Sequence, residues 1–108
     1  VDYHPAANRE LTAAGLTIER ARRGYGARFL NAVDAAVDRI GRYPDRFPEA
    51  EDAPDGREVR YVYLKRFEYR VLYAVLPGVL LVVAVAHASR EPGYWHDRLP
   101  NPYDGETP

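Results

Sequence analysis

The sequence predicts an α+β domain: a two-helix hairpin packed on a small, mostly antiparallel sheet, with elements in the order β-α-α-β-β-β. Three observations predict it. Apolar residues recur every three or four positions between Ala7 and Ile40, the period of amphipathic helices. Residues 58 to 86 are rich in Val, Tyr and Leu, the composition of strands. Two of these strand-like runs are separated by Pro77-Gly78, a tight-turn dipeptide that makes them antiparallel neighbours.

Val1-Asp2-Tyr3-His4 reads as an opening strand. After Pro5, residues Ala7, Leu11, Ala14 and Ile18 line one face of a first helix, with Gly15 weakening it late in its course. Gly24-Tyr25-Gly26 interrupts the pattern, and Tyr25, Phe29, Val33, Val37 and Ile40 resume it, with Leu30 and Ala36 widening the stripe toward Tyr43-Pro44. The joint apolar face of such a hairpin needs a sheet to cover it. Strands are expected over Glu58 to Leu64, Phe67 to Leu76 and Val79 to Ala86. In the middle strand Phe67, Tyr69, Val71, Tyr73 and Val75 alternate toward the core. Glu68, Arg70, Leu72, Ala74 and Leu76 face the other way, onto a sheet face expected to be open, where Arg70 meets solvent, a ligand or the carboxylate of Glu68.

The chain has 108 residues, 46% hydrophobic and 29% charged, which suits one domain with a single core. That domain is expected over residues 1–99, with 100–108 as a flexible tail. Without Cys, disulfide scaffolds, thiolate nucleophiles and sulfur-ligated zinc are excluded. The longest apolar run, Val79 to Ala86, is far shorter than the ~20 residues of a membrane-crossing helix. The chain also lacks Met and a leader, so it is expected to start a few residues inside the gene product.

Formal charge is −1, so no nucleic-acid coat can be read from the total; the distribution is uneven. Residues 20–48 and 57–70 are basic, and the intervening Pro48 to Gly56 is acidic and without apolar period, which reads as a solvated connection. Arg60, Lys65 and Arg66 form a candidate phosphate or partner patch. His87 ends an apolar strand, as a bonded lock or a proton carrier. His4, His87 and His96 share no ligand spacing, so no metal or other cofactor is expected.

Three strings occur in order. Tyr25-Gly26-Ala27-Arg28-Phe29-Leu30-Asn31-Ala32-Val33-Asp34-Ala35-Ala36, continued by Ile40 and Tyr43-Pro44, resembles the second helix of the RelE/ParE toxin superfamily. Phe67-Glu68-Tyr69-Arg70-Val71-Leu72-Tyr73 is similar to its strand motif, with Glu68 where the family has proline. Val82 to Ala86 followed by His87-Ala88-Ser89-Arg90-Glu91-Pro92-Gly93-Tyr94-Trp95 resembles its terminal strand and aromatic tail. The resemblance runs from about His4 to Arg98 and implies the cytoplasmic toxin half of a bacterial type II toxin–antitoxin pair. Such pairs are associated with plasmid stabilisation, and the toxin is held silent by a cognate antitoxin.

One fold in that superfamily serves two activities. RelE-like members cut mRNA on the ribosome, without a metal; ParE-like members poison DNA gyrase. RNA cleavage by the 2′-OH needs a proton acceptor, a proton donor and fixed positive charge for the phosphoryl oxygens. The resemblance carries two nuclease residues over, Arg70 and Tyr94. It places Tyr61 and Tyr63 where RelE has a lysine pair and Ala88 where it has a further arginine, with Arg90 nearby. His87, His96, Arg60, Lys65, Arg66 or Arg90 would have to substitute. The gyrase poison needs no such constellation and is favoured slightly; an mRNA endoribonuclease is the alternative, and a degenerate member that only binds an antitoxin a third. DNA contact by the pair is expected to belong to the antitoxin.

Overall fold

The structure, a computed structural model, describes residues 1–101. Most of the expected tail, 102–108, lies outside the described residues. The elements are β1 (Asp2–Tyr3), α1 (Pro5–Ala21), α2 (Tyr25–Arg42), β2 (Val59–Leu64), β3 (Tyr69–Leu76), β4 (Val79–His87) and a short 3-10 turn at His96–Arg98. The expected order β-α-α-β-β-β is therefore observed. Strands lie in the order β1-β4-β3-β2. β1 runs parallel to β4, and the other neighbours are antiparallel.

α1 starts where Pro5 supplies a helical φ and no N–H. The His4 ring nitrogen Nδ1 accepts the Ala6 N–H at 3.0 Å, capping an otherwise orphaned donor. α1 turns into α2 through Gly24, at φ 88, a left-handed conformation that a side chain disfavours. Both Glu19 carboxylate oxygens accept the Gly24 N–H, and Oε1 also accepts that of Gly26. A carboxylate thus caps the start of α2 from the preceding helix. A Cβ at Gly26 would sit 2.7 Å from the Gly15 carbonyl, so the helices meet with backbone against side-chain-free backbone. The glycine that weakens α1 in isolation is used for this crossing.

The helices lie on one face of the sheet. Ala7, Ala14, Phe29, Val33, Ala36 and Ile40 pack there on Val62, Val71, Tyr73, Val82 and Val85. Leu30 does not join them; it is 40% exposed and lines a groove between α1 and α2 with Leu11, Gly15, Leu16 and Gly26. β3 and β4 pair continuously from Tyr69↔His87 to Leu76↔Val79, with a bulge that leaves Val83 without an opposite residue. The bulge turns both Val83 and Ala84 to the second face.

That second face is not open. Leu72, Ala74, Val83, Ala84 and Ala86 are covered by Trp95, which is completely buried, and by Ala50. The acidic segment read as a solvated connection lies along β2: the Ala50 N–H donates to Val59 O, the Tyr61 N–H donates to Pro48 O, and Glu49 bridges to Arg60. Its few apolar groups suffice because the backbone supplies the pairing. β3 also begins two residues later than expected. Glu68 sits in the β2–β3 turn at φ 59, outside the alternation that would put it on the face of Arg70.

Candidate functional site

The site is built from the second sheet face, the N-terminal half of α1 and the segment that follows β4. Arg70 stands on β3 opposite Tyr63 and Ala86. Its guanidinium takes both oxygens of Asp52, each at 3.2 Å, a fork geometry that fixes both partners. Asp52 Oδ2 also accepts the Gly93 N–H at 2.9 Å and the Trp95 indole N–H at 3.2 Å. The His96 ring bonds the Asp52 carbonyl. Burial alone would raise the Asp52 pKa, but the bonds from Arg70 and Gly93 outweigh it and hold the carboxyl down at about 2. Gly93, at φ 74, makes the turn that brings its amide to this carboxylate.

A second carboxylate, Glu10 on α1, organises the rest. It accepts from Tyr94 OH at 2.8 Å, from Arg98 at 2.8 and 3.0 Å, and from the Val85 N–H at 3.1 Å. Arg98 also donates to Val83 O at 3.0 Å. β1 ends at Tyr3, opposite Val82, so beyond Val82 the β4 edge has no strand beside it among the described residues. Glu10 and Arg98 supply the acceptor and donor that a strand would have supplied. Burial opposes ionisation of Glu10, yet these hydrogen bonds together lower its pKa. Burial and then the Glu10 carboxylate push the Tyr94 phenol far above its ordinary range. Two guanidiniums lie near the Tyr94 ring, Arg90 at 3.8 Å and Arg98 at 5.1 Å from its centroid.

The residues singled out by sequence divide in two. Arg70, Arg90, Tyr94 and His87 gather around the segment after β4. Arg70 and Arg90 line one depression with Asp52 and Pro92, and Arg90 and His87 line a second with Glu10 and Tyr69. Arg70 and Tyr94 are joined through Asp52, whose carboxylate bonds Arg70 and the residue preceding Tyr94. The His87 Nδ1 accepts the Ser89 N–H and bonds the Ser89 hydroxyl, tying the strand end to the following turn. Arg60 stands apart, paired across β2–β3 with Tyr73 on the helix-bearing face. It donates to Phe47 O and Glu58 and lies 3.8 Å from Glu49. Lys65 and Arg66 occupy the β2–β3 turn and line a groove of about 590 Å³ with Arg28 and Tyr63.

Glu10, Asp52 and Arg98 were not predicted. Glu10 breaks no pattern on α1, and Asp52 is one of four acids in a segment without period. The one available signal was Trp95: an indole in a polar tail must bury its rings and satisfy its N–H, which requires an acceptor on whatever covers it.

The arrangement can hold a C-terminal segment firmly on the sheet by two carboxylate clamps; its exposed polar group of note is Arg90, 51% exposed. Among the described residues no helix is long and apolar enough to cross a membrane. No curated protein matches the chain. The family model described as the ParE toxin of the type II toxin–antitoxin system parDE matches residues 1–92, which spans both helices, all four strands and the turn carrying Arg90. The chain belongs to the ParE toxin family of type II toxin–antitoxin systems.

Proposed function

We propose that this toxin arrests growth in the cytoplasm by poisoning DNA gyrase, without catalysing a reaction of its own, and is neutralised by a cognate antitoxin. The observation that carries the choice of target is the employment of Arg70 and Tyr94. These are the two positions that match the RelE-like nuclease. Arg70 is already neutralised by Asp52, which removes much of its pull on a phosphoryl oxygen. The Tyr94 hydroxyl donates to Glu10, and its raised pKa makes the phenolate a rare species at neutral pH. Both side chains serve the fold, and a gyrase poison asks neither of them for chemistry.

A metal-independent mRNA endoribonuclease is the second reading. It is favoured by the juxtaposition of Arg90 and His87 in one depression, a guanidinium beside an imidazole. Induced expression of the chain alone in a bacterium separates the readings. Growth arrest with gyrase-linked DNA breaks and intact mRNA supports the gyrase target. Arrest with mRNA cut in ribosomal A sites supports the nuclease. No arrest with soluble protein indicates a member that has kept antitoxin binding alone.

A further inference from the structure

Some cations of the chain are held by carboxylates and others are not. Arg60, Arg70, Arg90 and Arg98 each lie within ion-pair distance of a carboxylate. Arg22, Arg28, Lys65 and Arg66 form no ion pair among the described residues. These four are contiguous. The Tyr25 ring has the Arg22 guanidinium at 4.0 Å and that of Arg28 at 4.7 Å. Arg28 lines the groove of about 590 Å³ that also holds Lys65, Arg66 and Tyr63. The Phe29 ring meets Phe67 at 5.3 Å and Tyr69 at 5.0 Å, which fixes the helical turn beside the β2–β3 turn. The nearby Glu19 has both oxygens committed to backbone amides, and Glu68 is the single acid in the β2–β3 turn.

We propose that this surface binds the phosphodiester backbone of a nucleic acid, with Arg22, Arg28, Lys65 and Arg66 as phosphate contacts and Tyr63 as a stacking platform. A guanidinium lying over a ring spends its face on the ring and keeps its in-plane N–H groups for an anion. Unpaired cations interleaved with aromatic rings suit a nucleic-acid strand, which offers charge and π-faces in alternation. Tyr63 is 45% exposed beside them. An acidic protein would satisfy the charges and leave the rings without a matching face. The formal charge of −1 is a sum over the whole chain and does not describe this surface, whose local balance is basic. The inference does not depend on which machine the toxin poisons.

The test is fluorescence anisotropy of the purified chain with labelled probes of about 20 nucleotides: duplex DNA, oligo-dT and oligo-U. Binding is expected at 50 mM salt, with a log–log salt slope of about −3, as for three or four released counterions. Arg28→Glu combined with Lys65→Glu and Arg66→Glu should weaken it at least ~10-fold through the loss of phosphate contacts. Arg42→Glu, at a cation paired with Asp38, should not. Tyr63→Ala should weaken single strands more than duplex, and the tighter probe identifies the source of the phosphates. Where charge reversal lowers the melting temperature, the combined Lys65→Gln and Arg66→Gln variant replaces it and should still lose several-fold. Absence of salt-dependent binding, or unchanged binding by both variants, overturns the inference. So does poly-glutamate competing as well as unlabelled nucleic acid of equal charge, which would assign the surface to an acidic protein.

Discussion

Asp52 and Arg70 form a two-pronged ion pair across the second sheet face, with both N–O distances at 3.2 Å. The carboxylate that fixes the arginine also fixes Gly93 and Trp95. The group expected to meet a ligand is therefore part of the fastening of the C-terminal segment.

Replacing Asp52 by Ala should destabilise the fold strongly. Arg70 is left largely buried without its counter-charge, and two further donors lose their acceptor. A cost of about 3–5 kcal/mol is expected, read as a lower urea midpoint at unchanged slope.

The same carboxylate predicts a pH dependence. Its folded pKa, about 2, lies below the ordinary 3.8, so its contribution is complete above the unfolded value. It is lost as pH falls from about 4 through 2. After screening at a partly solvated site, the loss should amount to about 1–2 kcal/mol. Asp52→Asn should flatten the stability curve in that window, as measured by urea unfolding at successive pH values.

Trp95→Ala should cost about 3–5 kcal/mol through the cavity it opens over the second face. Trp95→Phe keeps most of the apolar contact and loses the indole N–H to Asp52, so about 1 kcal/mol is expected. Thermal unfolding followed by circular dichroism checks the difference between the two.

Tyr94→Phe separates structure from chemistry. The lost hydroxyl leaves Glu10 with Arg98 and the Val85 amide, so the stability loss should be about 0.5–1.5 kcal/mol. Growth arrest on induction should persist at undiminished strength. Loss of toxicity with the fold intact would place Tyr94 in a reaction.

Gly26→Ala tests the helix crossing. Its methyl group would meet the Gly15 carbonyl at 2.7 Å and Glu19 Cβ at 2.9 Å, so the helices must separate. Overpacking of this kind costs about 1–3 kcal/mol, and chemical denaturation should show it.

The helices, the β3–β4 hairpin and most of the core were legible because periodicity and a Pro-Gly turn are local signals. Phe29, Val33 and Ile40 fall on one helical stripe and are all buried. The course of residues 48–57 was not legible, because their pairing with β2 uses backbone groups that carry no sequence signature. Leu30 was misplaced because an apolar stripe widened by one residue reaches the groove between two helices as readily as the core. Arg70 and Tyr94 were found by motif. Their partners Asp52 and Glu10 are 18 and 84 residues away in sequence, and a contact of that range leaves no spacing to read.

The gyrase target is tested most directly by a supercoiling and cleavage assay with purified gyrase, the purified chain and its Tyr94→Phe variant, run beside a ribosome-dependent mRNA cleavage assay. Both proteins are expected to inhibit supercoiling and to trap gyrase-linked DNA breaks equally, with mRNA intact. Unaffected gyrase together with mRNA cleavage that disappears in the Tyr94→Phe variant would contradict that target.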